Sequence, residues 1–200
     1  MHHLPKTKPS KTKQRILDTA LELFNNSGTR VITTNHIADA CHMSPGNLYY
    51  HYRNKEQIIY SLFERMISAW DEDEKHAIEN IEPNKILDIQ LQKTFHYVWQ
   101  YRFIHRELAA LLDRDEKLKE LCTHVLQRRS FEIEEMLKMF IQLGIIKPLD
   151  DKTIKFLAHT ALYFGLFWQP YLEVIGGKPT EENVQKGVQM IKQLIAPYLL

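Results

Sequence analysis

The chain has 200 residues but only 2 cysteines and 7 glycines. Cys41 and Cys122 give no disulfide framework and no paired metal spacing, so both are expected as buried thiols. His96, His105, Cys122, His124 and His159 offer no ligand spacing either, since Cys122 and His124 point to different sides of a helix. No metal or cofactor is expected. Long apolar runs are also missing. The longest, such as Ala161 to Trp168, fall far short of the roughly 18–20 residues of a membrane span. No apolar leader with a small-residue cleavage site opens the chain, so a cytoplasmic protein without membrane contact is expected. A nucleophile motif, a phosphate loop and a paired-carboxylate site are absent too, which argues against an enzyme.

Helical periodicity is what the chain does have. Apolar residues recur at 3–4 spacing almost throughout and no stretch alternates convincingly as a strand. The expected fold class is therefore all-α, with about nine helices. The net charge of +1 conceals an asymmetry: residues 1–65 carry nine Lys/Arg against five Asp/Glu, and the remainder seventeen against twenty. A basic head on a mildly acidic body fits a chain that meets phosphate at one end.

Residues 1–10, with Lys6, Lys8 and two prolines, read as a disordered basic arm. A helix then runs from Ser10 or Lys11 to about Ser27 and stops at Gly28. Thr33-Thr34 can cap a short helix reaching about Cys41, and His42 occupies the turn after it. Ser44 is a good N-cap, Pro45 suits the first helical position, and Gly46 leaves room for a close backbone. Two short helices joined by such a turn form a helix-turn-helix, whose second helix can enter the DNA major groove. Asn54 caps a long helix to roughly Asn80. Further helices follow from Asn84, Ile104, Asp115, Thr153 and Glu181.

The run Gln14 to Gly28, then Thr33-Thr34, Ile37-Ala38, Ser44-Pro45-Gly46-Asn47-Leu48-Tyr49-Tyr50-His51-Tyr52 and Asn54-Lys55-Glu56, resembles the DNA-binding domain of the tetracycline-repressor (TetR) family. The resemblance covers about residues 12–62. It implies a three-helix DNA-binding head, placed here at 11–56, and a larger helical ligand-binding and dimerisation domain at 57–200. His42 departs from the pattern, since family members usually have glycine there; histidine tolerates the left-handed region at some cost.

Thr33, Thr34, Ser44, Pro45, Gly46, Asn47, Tyr49, Tyr50, His51 and Lys55 are the candidate DNA contacts. The threonines could offer hydroxyl and N–H groups to phosphate, and the first turn of the second helix could meet base edges. Lys55 resembles the family's phosphate-contacting lysine. Leu48 and one of Tyr49 or Tyr52 are expected in the core instead.

The resemblance further implies a homodimer on a palindromic double-stranded operator. The dimer face is expected on the last two helices, at Leu157, Ala161, Gly165, Trp168, Val184, Val188, Ile191 and Ile195. Aromatic crowding suggests a pocket for a small apolar or aromatic effector, lined by Phe95, His96, Trp99, Phe103, Phe131, Met136, Phe140, Tyr163 and Phe167. Its polar end would meet His96, His105, Arg102 or Arg106. The whole reads as a ligand-responsive regulator, most simply a repressor released by its effector. The alternatives are an effector-independent regulator or activator, which a filled core would favour, and a small-molecule-binding helical domain with a vestigial head.

Overall fold

The computed structural model describes residues 10–76, 83–177 and 180–200, without the side chains of 73–76, 83–84, 181 and 184. The arm at 1–9 and the end of the fourth helix beyond His76 lie outside the described residues. Among the described residues the order is α1 (Lys11–Ser27), α2 (Thr34–Ala40), α3 (Pro45–His51), α4 (Lys55–His76), α5 (Pro83–Gln100), α6 (Arg102–Arg114), α7 (Glu116–Gln142), α8 (Asp151–Val174) and α9 (Glu181–Ile195), with a closing 3₁₀ turn. No strand forms among them; Ile146 and Leu199 make one isolated bridge. The all-α expectation holds.

Local chemistry sets these boundaries. Ser10 caps α1 by accepting from the Lys13 N–H. Asp115 caps α7 by accepting from the Lys117 and Leu118 N–H groups, and Asp150 and Thr180 cap α8 and α9 in the same way. Each cap satisfies donors that a helix start leaves orphaned. Gly144, after α7, takes a φ of 67°, the left-handed stop that glycine adopts cheaply. Pro170 sits inside α8: the helix continues through it to Val174.

Two compact units divide the chain, Met1–Arg65 and Met66–Leu200. The first has its own core of Ile16, Leu17, Ala20, Phe24, Ile37, Ala38, Leu48 and Tyr52, joined by Ile58 and Leu62 from the first turns of α4. Arg65, at the end of this unit, bonds Asp18 of α1 at 2.5 Å.

The second unit is built around Phe95, Leu137, Phe140, Ile154, Leu157, Trp168, Val188, Ile191 and Ile195. Gly187 admits α9 to this core, since a Cβ there would lie 2.4 Å from the Phe95 ring and 2.7 Å from the Trp168 Nε1. Asp71 of α4 receives Arg128 at 2.9 Å and Arg129 at 2.6 Å, both from α7. The Arg129 guanidinium also covers Trp70 at 4.5 Å, and Trp70 stacks on Tyr97 of α5 at 5.6 Å. This cluster draws α4, α5 and α7 together, and residues 57 and 58 positions apart in sequence meet in it.

Candidate nucleic-acid interface and effector region

The head is organised by the turn between α2 and α3. Met43 N–H donates back to the Ala38 carbonyl at 3.0 Å and His42 N–H to Asp39 at 2.9 Å. This closure requires a positive φ, and His42 supplies it at 51°, alone among the described non-glycine residues. Histidine stands there with its side chain exposed. Ser44 then starts α3, its hydroxyl accepting from the Asn47 N–H at 3.2 Å, with Pro45 in the first turn. Leu48 and Tyr52 point inward and are buried.

What remains outward on α3 is the expected set. Pro45, Gly46 and Asn47 are exposed, and nothing lies within 4 Å of where a Gly46 Cβ would sit. Tyr50 is 85% exposed, with the half-buried His51 ring edge-on to it at 5.1 Å. Tyr49 is 47% exposed, and its hydroxyl meets the Thr34 hydroxyl at 2.9 Å. Two residues expected as separate contacts are thus linked, and the link ties the start of α2 to the middle of α3.

Thr33 caps α2 by accepting from the His36 N–H, while His36 Nδ1 accepts the Thr33 N–H, each at 3.3 Å. This reciprocal cap was not anticipated, because its third residue is normally Glu or Gln. Lys55 sits differently from its expected role. Its ammonium donates to the Thr29 carbonyl at 2.5 Å and the Ile32 carbonyl at 3.0 Å, tying the loop after α1 to the start of α4. An ammonium has three donors, so one stays open to a phosphate.

The residues expected around the effector are spread over the second unit. Phe131, Tyr163 and Phe167 are 62%, 66% and 51% exposed, and His96 is exposed as well. None of these four borders the described cleft. Phe95, Phe103 and Phe140 are fully buried, and Met136 packs half-buried on the core. Their 3–4 spacing identified apolar faces but not which neighbour covers each one. Only Phe95 and Trp99 of the nine border the described cleft, which lies between α5, α8 and the start of α9 and holds about 10 Å³, room for a single water. Arg102 is stacked over Trp99 at 4.7 Å and donates to its carbonyl; burial, then the charge of Arg106, lowers its pKa.

Most of the expected dimer residues are covered within the chain. Leu157, Trp168, Val188, Ile191 and Ile195 belong to the chain's own core, with Ala161 packed against it. Gly165 is half-buried with open space beside it, and the Val184 side chain lies outside the described residues. The apolar surface that α8 leaves open is Phe156, Tyr163, Phe167, Tyr171 and Val174.

A three-helix head with a bare, aromatic third helix defines a helix-turn-helix DNA-binding protein. Comparison with known proteins makes this specific. The family described as bacterial regulatory proteins, tetR family, matches residues 16–62, and the TetR bacterial transcriptional repressor family matches residues 70–200. The chain belongs to the TetR family of transcriptional regulators, which bind DNA and are not enzymes.

QacR, an HTH-type transcriptional regulator of Staphylococcus aureus, is 38% identical over 63 residues, 32% of this chain and 34% of QacR. The match thus spans about a third of that curated relative's length. A TetR-family regulator from Marinobacter aquaeolei VT8 superposes with a TM-score of 0.85 at 33% identity, covering 95% of this chain and 92% of that one. AibR, solved with isovaleryl coenzyme A and operator DNA, shares the fold with a TM-score of 0.67 at 22% identity, covering 90% and 98%. No described helix is long and apolar enough to cross a membrane.

Proposed function

We propose that the chain represses transcription as a homodimer, setting two α3 helices into successive major grooves of a palindromic operator. The carrying observation is the outward face of α3, where Tyr50 stands 85% exposed on a helix anchored from behind by Leu48 and Tyr52. A tyrosine there can press its ring on a sugar or thymine methyl and offer its hydroxyl to a base edge or phosphate. Ser44 to Asn47 would meet base edges. The linked Thr34 and Tyr49, with the open donor of Lys55, would hold phosphates.

Dimerisation rests on the bare stripe of α8. Phe156, Tyr163, Phe167, Tyr171 and Val174 follow one another at 7, 4, 4 and 3 residues, which is one helix face. A second copy of α8 laid against it, with α9 alongside, makes a four-helix bundle. Half-site spacing then follows from the dimer, and a ligand that favours one of two spacings controls binding. The effector is a small, largely apolar molecule held among α5, α6 and α8. AibR was solved with both isovaleryl coenzyme A and operator DNA, which supports the reading that this fold carries both sites.

An effector-independent regulator is the second reading, and the nearly filled described cleft of about 10 Å³ favours it. A panel of ligands against the DNA complex separates the two.

Tyr50→Ala and Lys55→Gln test the DNA assignment, by anisotropy with an operator recovered by footprinting. Gln keeps amide donors for the Thr29 and Ile32 carbonyls but drops the charge. Tyr50→Ala is expected to weaken binding by about 1–3 kcal/mol. Lys55→Gln should reduce the salt slope by about 1. Unchanged affinity and slope in both would overturn the assignment.

A further inference from the structure

The second unit contains buried polar groups that nothing satisfies. His105 of α6 is 7% exposed and Gln169 of α8 is 4% exposed. Both His105 ring nitrogens, the Gln169 Nε2 and the Glu173 Oε1 are buried without a hydrogen-bond partner. The Leu166 backbone bonds the His105 ring weakly, outside the geometry of a full hydrogen bond. Leu166, Gln169 and Glu173 sit at i, i+3 and i+7, one face of α8. Native interiors leave few polar groups unpaired, and each one needs an account. Gln169 and Glu173 thus bring unpaired polar atoms to one face of α8, the face whose Leu166 backbone meets His105.

The adjoining cleft gives the rest of the shape. Gln169 forms part of its wall, with Phe95, Val98, Trp99, Trp168 and Leu172 supplying apolar surface. Trp168 is held there, its indole N–H donating to the Asn183 carbonyl at 3.0 Å. As it stands the cleft takes one water, so an effector must select a wider state.

We infer that the α6/α8 seam is the polar end of the effector site, with Gln169 and His105 as its hydrogen-bonding groups, and that the effector is an uncharged molecule pairing an apolar ring or chain with an amide-, carbonyl- or hydroxyl-type group. This rests on the reading of the chain as an effector-responsive regulator. The Gln169 amide nitrogen asks for an acceptor. Burial keeps the His105 ring neutral, its pKa lowered to about 4, so it offers one donor and one acceptor. His105, Gln169 and Glu173 bring no cation to this seam, and the Glu173 oxygen would repel an anion. A carboxylate therefore has no counter-charge in this seam, since Arg102 is already engaged with Trp99.

The experiment compares three probes of one shape, benzamide, benzoate and toluene, by thermal shift and calorimetry on the full chain. Benzamide is expected to raise Tm by several degrees, and benzoate and toluene by less than a third as much. Gln169→Met removes the unpaired amide without a large change of volume. It should raise the Tm of the unliganded protein by about 2–6 °C and abolish the preference for benzamide over toluene. His105→Leu, on the facing helix, should abolish the same preference.

A purely structural Gln169, bridged by water, would instead give a lower Tm in Gln169→Met with the preference intact, and that result overturns the inference. So does benzoate matching benzamide, or no probe binding at all. Salt-dependent DNA binding measured alongside separates the failures. Intact DNA binding without benzamide selectivity sinks only this site. Benzamide selectivity without DNA binding leaves the site standing and sinks the regulator.

Discussion

His42→Gly should stabilise the head. At φ 51° the His42 backbone occupies the left-handed region, which costs an L-residue about 1–2 kcal/mol relative to glycine. Histidine lies toward the low end of that range. Glycine gives back about 0.4–1 kcal/mol through the extra entropy of the unfolded chain. With a strain near 1 kcal/mol the net gain is about 0–0.6 kcal/mol. The exposed side chain of His42 makes no hydrogen bond among the described residues whose loss would offset it; only the backbone closes the turn, and glycine keeps that. Urea denaturation followed by far-UV circular dichroism is the assay, with the midpoint rising and the slope m unchanged. His42→Ala is the control, because it deletes the side chain and keeps the strain. It should match wild type or fall a few tenths of a kcal/mol below. A His42→Gly that is no more stable than His42→Ala would refute the reasoning, since turn strain would then not be the quantity that changed.

Gly187→Ala drives a methyl against Phe95 and Trp168, and overpacking of this kind costs about 1–3 kcal/mol, read as a lower urea midpoint; wild-type stability would show that α9 shifts freely. His105 gives the second unit an acid limb. Its folded pKa of about 4 lies below the ordinary 6.5, so the unfolded chain binds the extra proton and stability is full above pH 6.5. It falls as pH drops toward 4, by roughly 3 kcal/mol in all, and His105→Leu should flatten that fall in denaturation curves taken across the range. Phe167→Glu puts a charge in the bare stripe of α8, where the residue is 51% exposed. It should leave helicity intact and shift sedimentation from dimer to monomer; a persisting dimer would move the interface elsewhere.

Much of the head is legible from its residues because local rules decide it. Ser44, Pro45 and Asn54 announce helix starts through their own backbone chemistry, and a turn pattern with His42 in place of glycine demands a positive φ. The second unit is less legible because its helices are apolar on more than one side. In α8, Leu157 and Trp168 look no different in spacing from Phe156 and Phe167, yet the first pair is core and the second is surface. Only the neighbours decide, and α9 decides through Gly187. The Arg128 and Arg129 pairing with Asp71 was equally invisible, because charges that far apart in sequence carry no local signature. Gln169 passed unnoticed as one polar residue within an apolar helix.

The three tryptophans of the chain all belong to the second unit, each in its own electrical setting. Trp70 lies between the Arg129 guanidinium and the Tyr97 ring, Trp99 lies under Arg102, and Trp168 stacks on Phe164 and donates to a carbonyl. The head contains tyrosines and no indole. Light absorbed at the red edge of the indole band therefore follows the regulatory unit alone, with no label and no contribution from DNA reading. Two of the three indoles border the cleft and the third marks the end of α4. Effector entry and the response of α4 thus acquire separate optical signatures, resolvable by replacing one tryptophan at a time.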